Sequence, residues 1–506
     1  MGQAVRRAGV RMTEKGHPVV ADVTYSWPVN SAPPPSGQPQ VADEPVLSPS
    51  SSTNRDRIPM VVWLLLCAAF VVILNETIMS LALDTLMKSL GITAAQGQWL
   101  TTAFLLTMAV VIPVSGFLLT RFGTRTMFLV AMITFSTGTV TGGIASGFEM
   151  LVAARVIQGA GTAVMMPLLM TTVMETTPKR RRGQVMGVVS MVISVAPALG
   201  PTAAGEILRY FDWPFLFWAV LPIALVALVI GGLLVRDVGE RETRNVDIAS
   251  VILSAFGFGG VVYALNQIAG GLSPQLVIGI ILAAGGLVGF VWRQRRLESG
   301  AGPLLDLRCF EVPTFRLGVI VMSVGFAALM GVAMLWPLFL QGERGLTPDV
   351  AGRMLLPGGL AMGVLGPVIG RIVDRFGPRV VVVPGSIVVA VMLAVMSTAQ
   401  ATTALVLLIL MHVVMSLGLA AVFTPTFAVT LNDLPTHLYA HGSALLSTIQ
   451  QVAGAAGAAL LVTVMALSNQ QVAFLIAAGM TCAVVVLSFR YPTAVADVEG
   501  APAPAH

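Results

Sequence analysis

The sequence predicts an all-α polytopic membrane protein, and three observations support this fold class. Of the 506 residues, 56% are hydrophobic and only 10% are charged, whereas a soluble domain carries roughly 25% charged residues. Long apolar runs follow one another along the chain, and a thirteen-residue stretch within them occurs twice. The three cysteines are far apart, so neither a disulfide framework nor a metal site is expected.

Fourteen apolar runs are predicted to cross the membrane as helices. Each has about 20 residues or more, which is enough to span a hydrocarbon core of about 30 Å. Prolines such as Pro113, Pro197, Pro222 and Pro367 lie inside these runs, which membrane helices tolerate because neighbouring helices satisfy the freed backbone groups. The runs lie near residues 58–83, 97–119, 124–146, 149–173, 184–207, 213–235, 247–269, 274–292, 314–340, 350–371, 378–398, 402–428, 441–467 and 470–489.

The repeated stretch divides the chain into two related halves. Residues 113–125 read PVSGFLLTRFGTR and residues 367–379 read PVIGRIVDRFGPR, so that seven of the thirteen positions match. Each copy ends an apolar run in a glycine turn flanked by arginines, and the two copies end the second and the tenth runs. The sequence therefore predicts two parallel six-helix bundles with an inserted helix pair between them.

The basic residues predict the orientation of the chain. With both termini in the cytoplasm, 24 of the 29 lysines and arginines fall in cytoplasmic segments, four fall outside and Arg155 falls within a span. This bias follows the positive-inside rule. The predicted domains are a disordered cytoplasmic tail at 1–57, a six-helix bundle at 58–235, an inserted pair with cytoplasmic loops at 236–312, a six-helix bundle at 313–489 and a cytoplasmic tail at 490–506.

These features resemble the fourteen-helix drug:H+ antiporter branch of the major facilitator superfamily, over about residues 58–490. The second copy of the turn fits the loop motif Gly-x-x-x-Asp-Arg-x-Gly-x-Arg in full, whereas the first copy has Thr120 in place of the aspartate. The resemblance implies that the loop-motif residues act in gating. They are Gly116, Arg121, Gly123, Arg125, Gly370, Asp374, Arg375, Gly377 and Arg379.

Two further motifs carry the resemblance. The stretch from Arg155 to Gly159, RVIQG, resembles a motif linked to proton coupling, and the fifth run resembles the antiporter signature. Small residues along that run permit tight helix contact, and its prolines are expected to bend it; packing alone is the other interpretation. The signature residues are Gly187, Pro197, Gly200, Pro201 and Gly205.

Glu76 and Arg155 are the predicted proton-coupling pair. An ionised carboxylate inside a span costs roughly 2.5–3.5 kcal/mol on insertion scales, so Glu76 should be neutralised by a proton or by a partner. In the family fold the first and fourth helices are neighbours, and we expect Arg155 to lie close enough to interact with the carboxylate. The alternatives are an acid near the outer interface and an arginine that binds backbone carbonyls.

The two arginine-flanked turns also have two interpretations. Their charge alone is explained by topology. The functional alternative is a latch, in which Asp374 accepts hydrogen bonds from arginines of this loop region and holds one conformation.

Polar residues within the spans are candidates for a substrate cavity, although hydrogen bonding between helices would explain them as well. They are Asn75, Gln158, His412, Gln450 and Gln451. Asp84, Glu206 and His412 are further titratable groups that could take part in coupling.

The function that the resemblance implies is a proton-coupled antiporter that exports amphiphilic or cationic drugs by alternating access. Its expected partners are the lipid bilayer, such substrates and protons, with no nucleic acid and no cofactor, in a monomer in the bacterial cell membrane. The alternatives are a dedicated exporter of a natural product or lipid-like metabolite and, less favoured, a membrane-embedded enzyme. An ATP-driven pump is disfavoured because no lysine lies in a Gly-x4-Gly-Lys-Ser/Thr loop.

Overall fold

The structure, a computed structural model, describes residues 59–237, 246–268, 271–298 and 302–491. The predicted disordered tail at 1–57 lies outside the described residues, as does all but the first two residues of the predicted tail at 490–506.

The described residues form fourteen helices that are long and apolar enough to cross a membrane. This confirms the predicted all-α fold class. The helices are α1 (Met60–Leu90), α2 (Ala94–Phe122), α3 (Thr124–Gly143), α4 (Phe148–Thr176), α5 (Arg182–Tyr210), α6 (Pro214–Leu234), α7 (Ile248–Gln267), α8 (Pro274–Leu297), α9 (Pro313–Gly342), α10 (Pro348–Phe376), α11 (Arg379–Met396), α12 (Leu405–Asn432), α13 (Tyr439–Leu467) and α14 (Gln470–Ser488).

The helix boundaries follow local chemistry. Helix α1 was expected to end near residue 83 but continues to Leu90, where Gly91 stops it in a left-handed conformation with a φ of 63°. Helix α2 begins with a capping box, in which the Thr93 side chain and Gln96 satisfy each other's backbone N–H groups. Both repeated turns use a glycine at the same backbone conformation, with φ of 80° at Gly123 and 82° at Gly377. A residue with a Cβ would be strained at either position.

The two halves repeat the same packing with an offset of eight helices. In the first half, α3 packs on α4, α2 on α4, α1 on α5 and α3 on α6. In the second half, α11 packs on α12, α10 on α12, α9 on α13 and α11 on α14. Two equivalent six-helix bundles, α1–α6 and α9–α14, therefore account for twelve of the fourteen helices.

The halves meet through two main helix pairs, which we call the α5–α10 interface and the α2–α13 interface. Both interfaces contain contacts near the two repeated turns, at the arginine-rich end of the helices. We call this end the basic face.

The inserted helices α7 and α8 pack on each other through glycines, and α7 lies against α2 and α13. A Cβ added at Gly260 would lie 2.6 Å from the backbone nitrogen of Ala283, so the two helices touch backbone to backbone. Helix α7 contains a π-helical turn at Ala255–Gly259, and this turn packs on α2. The pair thus covers the α2–α13 interface.

Candidate functional site

Arg155 lies in α4 with only 2% of its surface exposed. Its Nε donates a hydrogen bond to the Leu100 carbonyl (3.3 Å) and its Nη1 donates to Gln158 Oε1 (3.0 Å). The guanidinium also lies over the Phe104 ring, 4.1 Å from its centroid. Since a buried cation is stable only when its donors and its charge are matched, these contacts hold Arg155 in a fixed position between α2 and α4.

Gln158 extends this network to a third helix. Its side chain is fully buried, and its Nε2 donates a hydrogen bond of 3.0 Å to Thr139 Oγ1 in α3. Gln158 lies one turn after Arg155, so both side chains face the same side of α4. Gln158 therefore orients Arg155, and the Thr139 hydroxyl in turn orients Gln158.

Glu76 lies in α1, partly buried, and interacts electrostatically with Arg155. The structure thus brings together the two residues of the predicted pair, while the described hydrogen bonds of Arg155 go to Leu100 and Gln158. The neighbouring Asn75 is 1% exposed, and among the described residues no acceptor lies within hydrogen-bond distance of its Nδ2. An acidic side chain of α1 thus lies within electrostatic range of a buried guanidinium of α4.

The antiporter-signature helix α5 packs directly against this part of α1. A Cβ at Gly200 would lie 2.8 Å from the Cβ of Thr77, the residue after Glu76. Of the other signature residues, Gly187 lies at the contact with α10, and Pro197, Pro201 and Gly205 lie farther along the same helix. Gly200 therefore sets the distance between the signature helix and the acidic helix.

The remaining cavity candidates lie in the second half. His412 in α12 packs against Gly358 in α10, where an added Cβ would be 2.6 Å from its Nε2. Gln450 in α13 is 8% exposed, and its Nε2 has no hydrogen-bond partner among the described residues. Gln451 is partly buried on the same helix. None of the described hydrogen bonds joins these three side chains to the Arg155 network.

Asp374 provides a link between the two halves at the basic face. Its two carboxylate oxygens accept hydrogen bonds from the backbone N–H groups of Gly183 (2.9 Å) and Gln184 (2.8 Å), which lie in the first turn of α5. First-turn N–H groups have no partner within their helix and carry the positive end of the helix dipole. The expected hydrogen-bond partners were arginines; the structure corrects this, because the described bonds go to a helix N-terminus.

Glycines allow this approach of α10 to α5. A Cβ at Gly366 would lie 2.5 Å from the Gly187 carbonyl oxygen, and one at Gly363 would lie 2.6 Å from Val195 Cγ2. Gly370 similarly lies against the Gly183 carbonyl. The two helices are therefore closely packed over about two turns, with backbone contact at Gly366 and Gly370.

The first copy of the turn forms no equivalent link among the described residues. Thr120 Oγ1 donates its hydrogen bond to the Phe117 carbonyl in the same helix (2.9 Å). Arg125 binds within its own half, with its N–H donating to Asp237 Oδ1 and its Nη2 donating to the Gly232 carbonyl, both at 3.0 Å.

The other loop-motif arginines lie over aromatic rings. Arg121, Arg375 and Arg379 are placed over the rings of Phe122 (5.7 Å), Phe376 (5.1 Å) and Phe489 (5.5 Å) respectively.

Sequence reasoning missed Arg182, which is 6% exposed at the start of α5. Its guanidinium donates to the carbonyls of Met174 (2.5 Å) and Thr177 (3.2 Å), at the end of α4. It also donates to Asn432 Oδ1 (2.8 Å) and to the Tyr439 hydroxyl (3.1 Å), both in the second half. Arg182 thus forms a second link between the halves; in the sequence it is one of four consecutive basic residues, and no signal there sets it apart.

Sequence reasoning also missed a polar cluster at the end of the inserted pair. Arg293 in α8 binds the Asp247 carboxylate through two hydrogen bonds of 2.6 and 2.7 Å, and these bonds hold the pKa of Asp247 well below its usual range. The buried Gln294 accepts hydrogen bonds from the backbone N–H groups of Leu304 and Leu305. The cluster therefore fixes the inserted pair to the segment that leads into the second half.

Comparisons with known proteins agree with this architecture. The sequence model of the Major Facilitator Superfamily matches residues 65–458 and 320–505. The lincomycin resistance protein LmrB of Bacillus subtilis is 38% identical over 81% of this chain and 85% of its own. The putative multidrug resistance protein MdtD of Salmonella heidelberg is 31% identical over 81% of this chain and 87% of its own.

Among solved structures, the human organic anion transporter MFSD10 superposes with a TM-score of 0.66 at 15% identity, covering 85% of this chain and all of its own. At this level of identity the superposition supports the fold alone.

Proposed function

The chain belongs to the major facilitator superfamily, and we propose that it is a proton-driven antiporter that exports amphiphilic, often cationic drugs. Membership makes it a multi-pass membrane transporter rather than an enzyme, related to lincomycin and multidrug resistance proteins. Proton coupling and the drug substrates are the proposed part.

The observation that carries the proposal is the cluster of the partly buried Glu76 with the buried Arg155 and Gln158. When Glu76 is protonated, its burial costs little, and Arg155 remains held by Gln158 and the Leu100 carbonyl. When the proton leaves, the carboxylate is stabilised by the positive charge of Arg155. The cluster can thus exist in two charge states within the membrane, which is what exchange of a proton for a substrate requires.

We further propose that the basic face is cytoplasmic, as the positive-inside rule indicates. The links formed by Asp374 and by Arg182 then close the transporter on the cytoplasmic side. In alternating access, both links break when the halves separate at this face to admit a substrate, and they form again when the substrate is released outside.

The substrate class is proposed from the relatives together with the polar residues of the second half. Relatives named for resistance to lincomycin and to multiple drugs support small amphiphilic substrates. His412, Gln450 and Gln451 offer polar groups on α12 and α13 toward such molecules. A dedicated exporter of one natural product is the second candidate, and a panel of cationic, neutral and metabolite-like compounds separates the two by the breadth of transport.

The test is drug transport driven by a pH gradient in proteoliposomes, with wild type, Glu76→Gln and Glu149→Gln. Glu149 is the matched control because it is an exposed glutamate in the first turn of α4. We expect the pH gradient to drive transport by wild type and by Glu149→Gln. We expect Glu76→Gln to lose transport driven by the gradient and still to exchange substrate when no gradient is present. Full proton-coupled efflux by Glu76→Gln would exclude the proposed role of this carboxyl.

A further inference from the structure

Four arginines surround one open cavity of about 330 Å³ at the basic face, between α5 and α10. Arg180 and Arg181 precede α5, and Arg371 and Arg375 lie in the last two turns of α10. The other lining residues are Gln184 and Asp374. Asp374 is the one carboxylate of the lining, and both of its oxygens already accept hydrogen bonds from the start of α5.

The cavity therefore carries an excess of positive charge that comes from both halves of the protein. Guanidinium groups are donors with a planar geometry that matches phosphate oxygens, and a cluster of them is a typical phosphate-binding arrangement. Topology alone requires arginines on this face, but it does not require two from each half to line a single cavity.

An exposed apolar row leads from the cavity along α10. Val364, Val368, Ile372 and Phe376 follow one another at four-residue spacing, with exposed fractions of 69%, 41%, 37% and 52%. Arg371 and Arg375 each lie three residues after one of these side chains and are thus their neighbours on the helix surface. The row extends for about 18 Å at 1.5 Å per residue, close to half of a hydrocarbon core of about 30 Å.

We propose that this cavity binds an anionic phospholipid, with its phosphate on the four arginines and its acyl chains along the row on α10. The combination of a phosphate-binding group with an adjoining apolar row of one leaflet's length favours a lipid over a free anion. Because the arginines come from both halves, the bound headgroup holds the α5–α10 interface together at the basic face. This lipid site does not depend on the proposed drug substrate or on proton coupling.

Binding is tested with the full chain in nanodiscs of dioleoylphosphatidylcholine, to which dioleoylphosphatidylglycerol is added, by counting retained lipids in native mass spectrometry. The double variant Arg180→Gln/Arg371→Gln removes one arginine from each side of the cavity. The control Arg316→Gln/Arg490→Gln removes the same charge from exposed positions outside the cavity lining. We expect the first double variant to bind phosphatidylglycerol roughly thirtyfold more weakly than wild type, and the control to bind like wild type.

Two results would overturn the proposal. If both double variants bind phosphatidylglycerol equally weakly, the lipid binds to the net charge of the basic face and not to this cavity. Displacement of the retained lipid by inorganic phosphate, at an ionic strength matched with chloride, would mean that a free anion is the ligand and that the apolar row contributes nothing.

The effect on the interface is measured by fluorescence energy transfer between dyes at Thr126→Cys in the first half and Glu311→Cys just before the second half, both exposed positions. The exposed Cys67 and Cys482 are replaced by alanine. Cys309 stays unlabelled because it is fully buried and burial raises the pKa of its thiol to about 12. Phosphatidylglycerol should increase the population with a closed basic face in wild type and leave the Arg180→Gln/Arg371→Gln variant unchanged; an equal increase in both would contradict the proposal.

Discussion

The two copies of the repeated turn share a backbone and differ in chemistry. Both turns have their glycine at nearly the same φ, 80° at Gly123 and 82° at Gly377. Both also bring a glycine of the preceding helix against the start of a helix in the other half, Gly370 against Gly183 and Gly116 against Ala440. Yet Asp374 caps α5 of the other half, while Thr120 binds a carbonyl of its own helix. Close glycine packing thus forms both the α5–α10 and the α2–α13 interface. Only the α5–α10 interface gains hydrogen bonds to a carboxylate from its turn, because only the second turn has an aspartate.

The largest effect is expected at the copy that has the carboxylate. Asp374→Ala removes two hydrogen bonds to the first turn of α5 and leaves those N–H groups without their acceptor, a loss of about 2 kcal/mol. If the bonds exist only when the basic face is closed, the ratio of open to closed molecules rises roughly thirtyfold. The Thr126–Glu311 dye pair measures that ratio, and an unchanged ratio would mean that the carboxylate does not hold the interface.

A smaller effect, in the opposite direction, is expected from Thr120→Asp, which gives the first turn the aspartate that the second turn has and should stabilise the closed basic face. The contact of Gly116 with Ala440 matches that of Gly370 with Gly183, so an aspartate at 120 should reach the first-turn N–H of Ala440 in α13. A helix N-cap of this kind stabilises the closed state by about 1 kcal/mol. The ratio of closed to open molecules therefore rises roughly fivefold. A shift toward the open state in the same dye measurement would show that the two turns are not geometrically equivalent.

The smallest effect is expected from Thr120→Val, which removes a hydroxyl but keeps a branched side chain of similar size. The hydroxyl bonds within its own helix, so its loss should change the open-to-closed ratio by less than about twofold. A change as large as that of Asp374→Ala would mean that Thr120 also links the two halves.

The fold was predictable because its determinants are local and periodic. The lengths of the apolar runs are set by the membrane, and the repeated turn shows the offset between the halves. The largest difference, the continuation of α1 to Leu90, arose because its last residues are polar enough to resemble a loop, whereas the stop signal is Gly91. Glu76 and Arg155 could be selected because charge inside a span is rare.

The links between the halves could not be predicted from the sequence. Asp374 and Gly183 are 191 residues apart, and Arg182 and Asn432 are 250 apart. Nothing in the basic run at residues 179–182 marks its last residue as buried, since all four suit a positive-inside loop equally well. Only the close approach of the helices shows which arginine turns inward and that the partner of Asp374 is a helix N-terminus.

The position of the inserted pair has a consequence for a compound dissolved in the bilayer. At the α2–α13 interface, α7 packs on both helices and α8 packs on α7. At the α5–α10 interface, side chains of α10 such as Val364 and Val368 are exposed. For the proposed amphiphilic substrate, sideways entry from a leaflet is therefore expected at the α5–α10 interface, and not at the α2–α13 interface, which α7 covers.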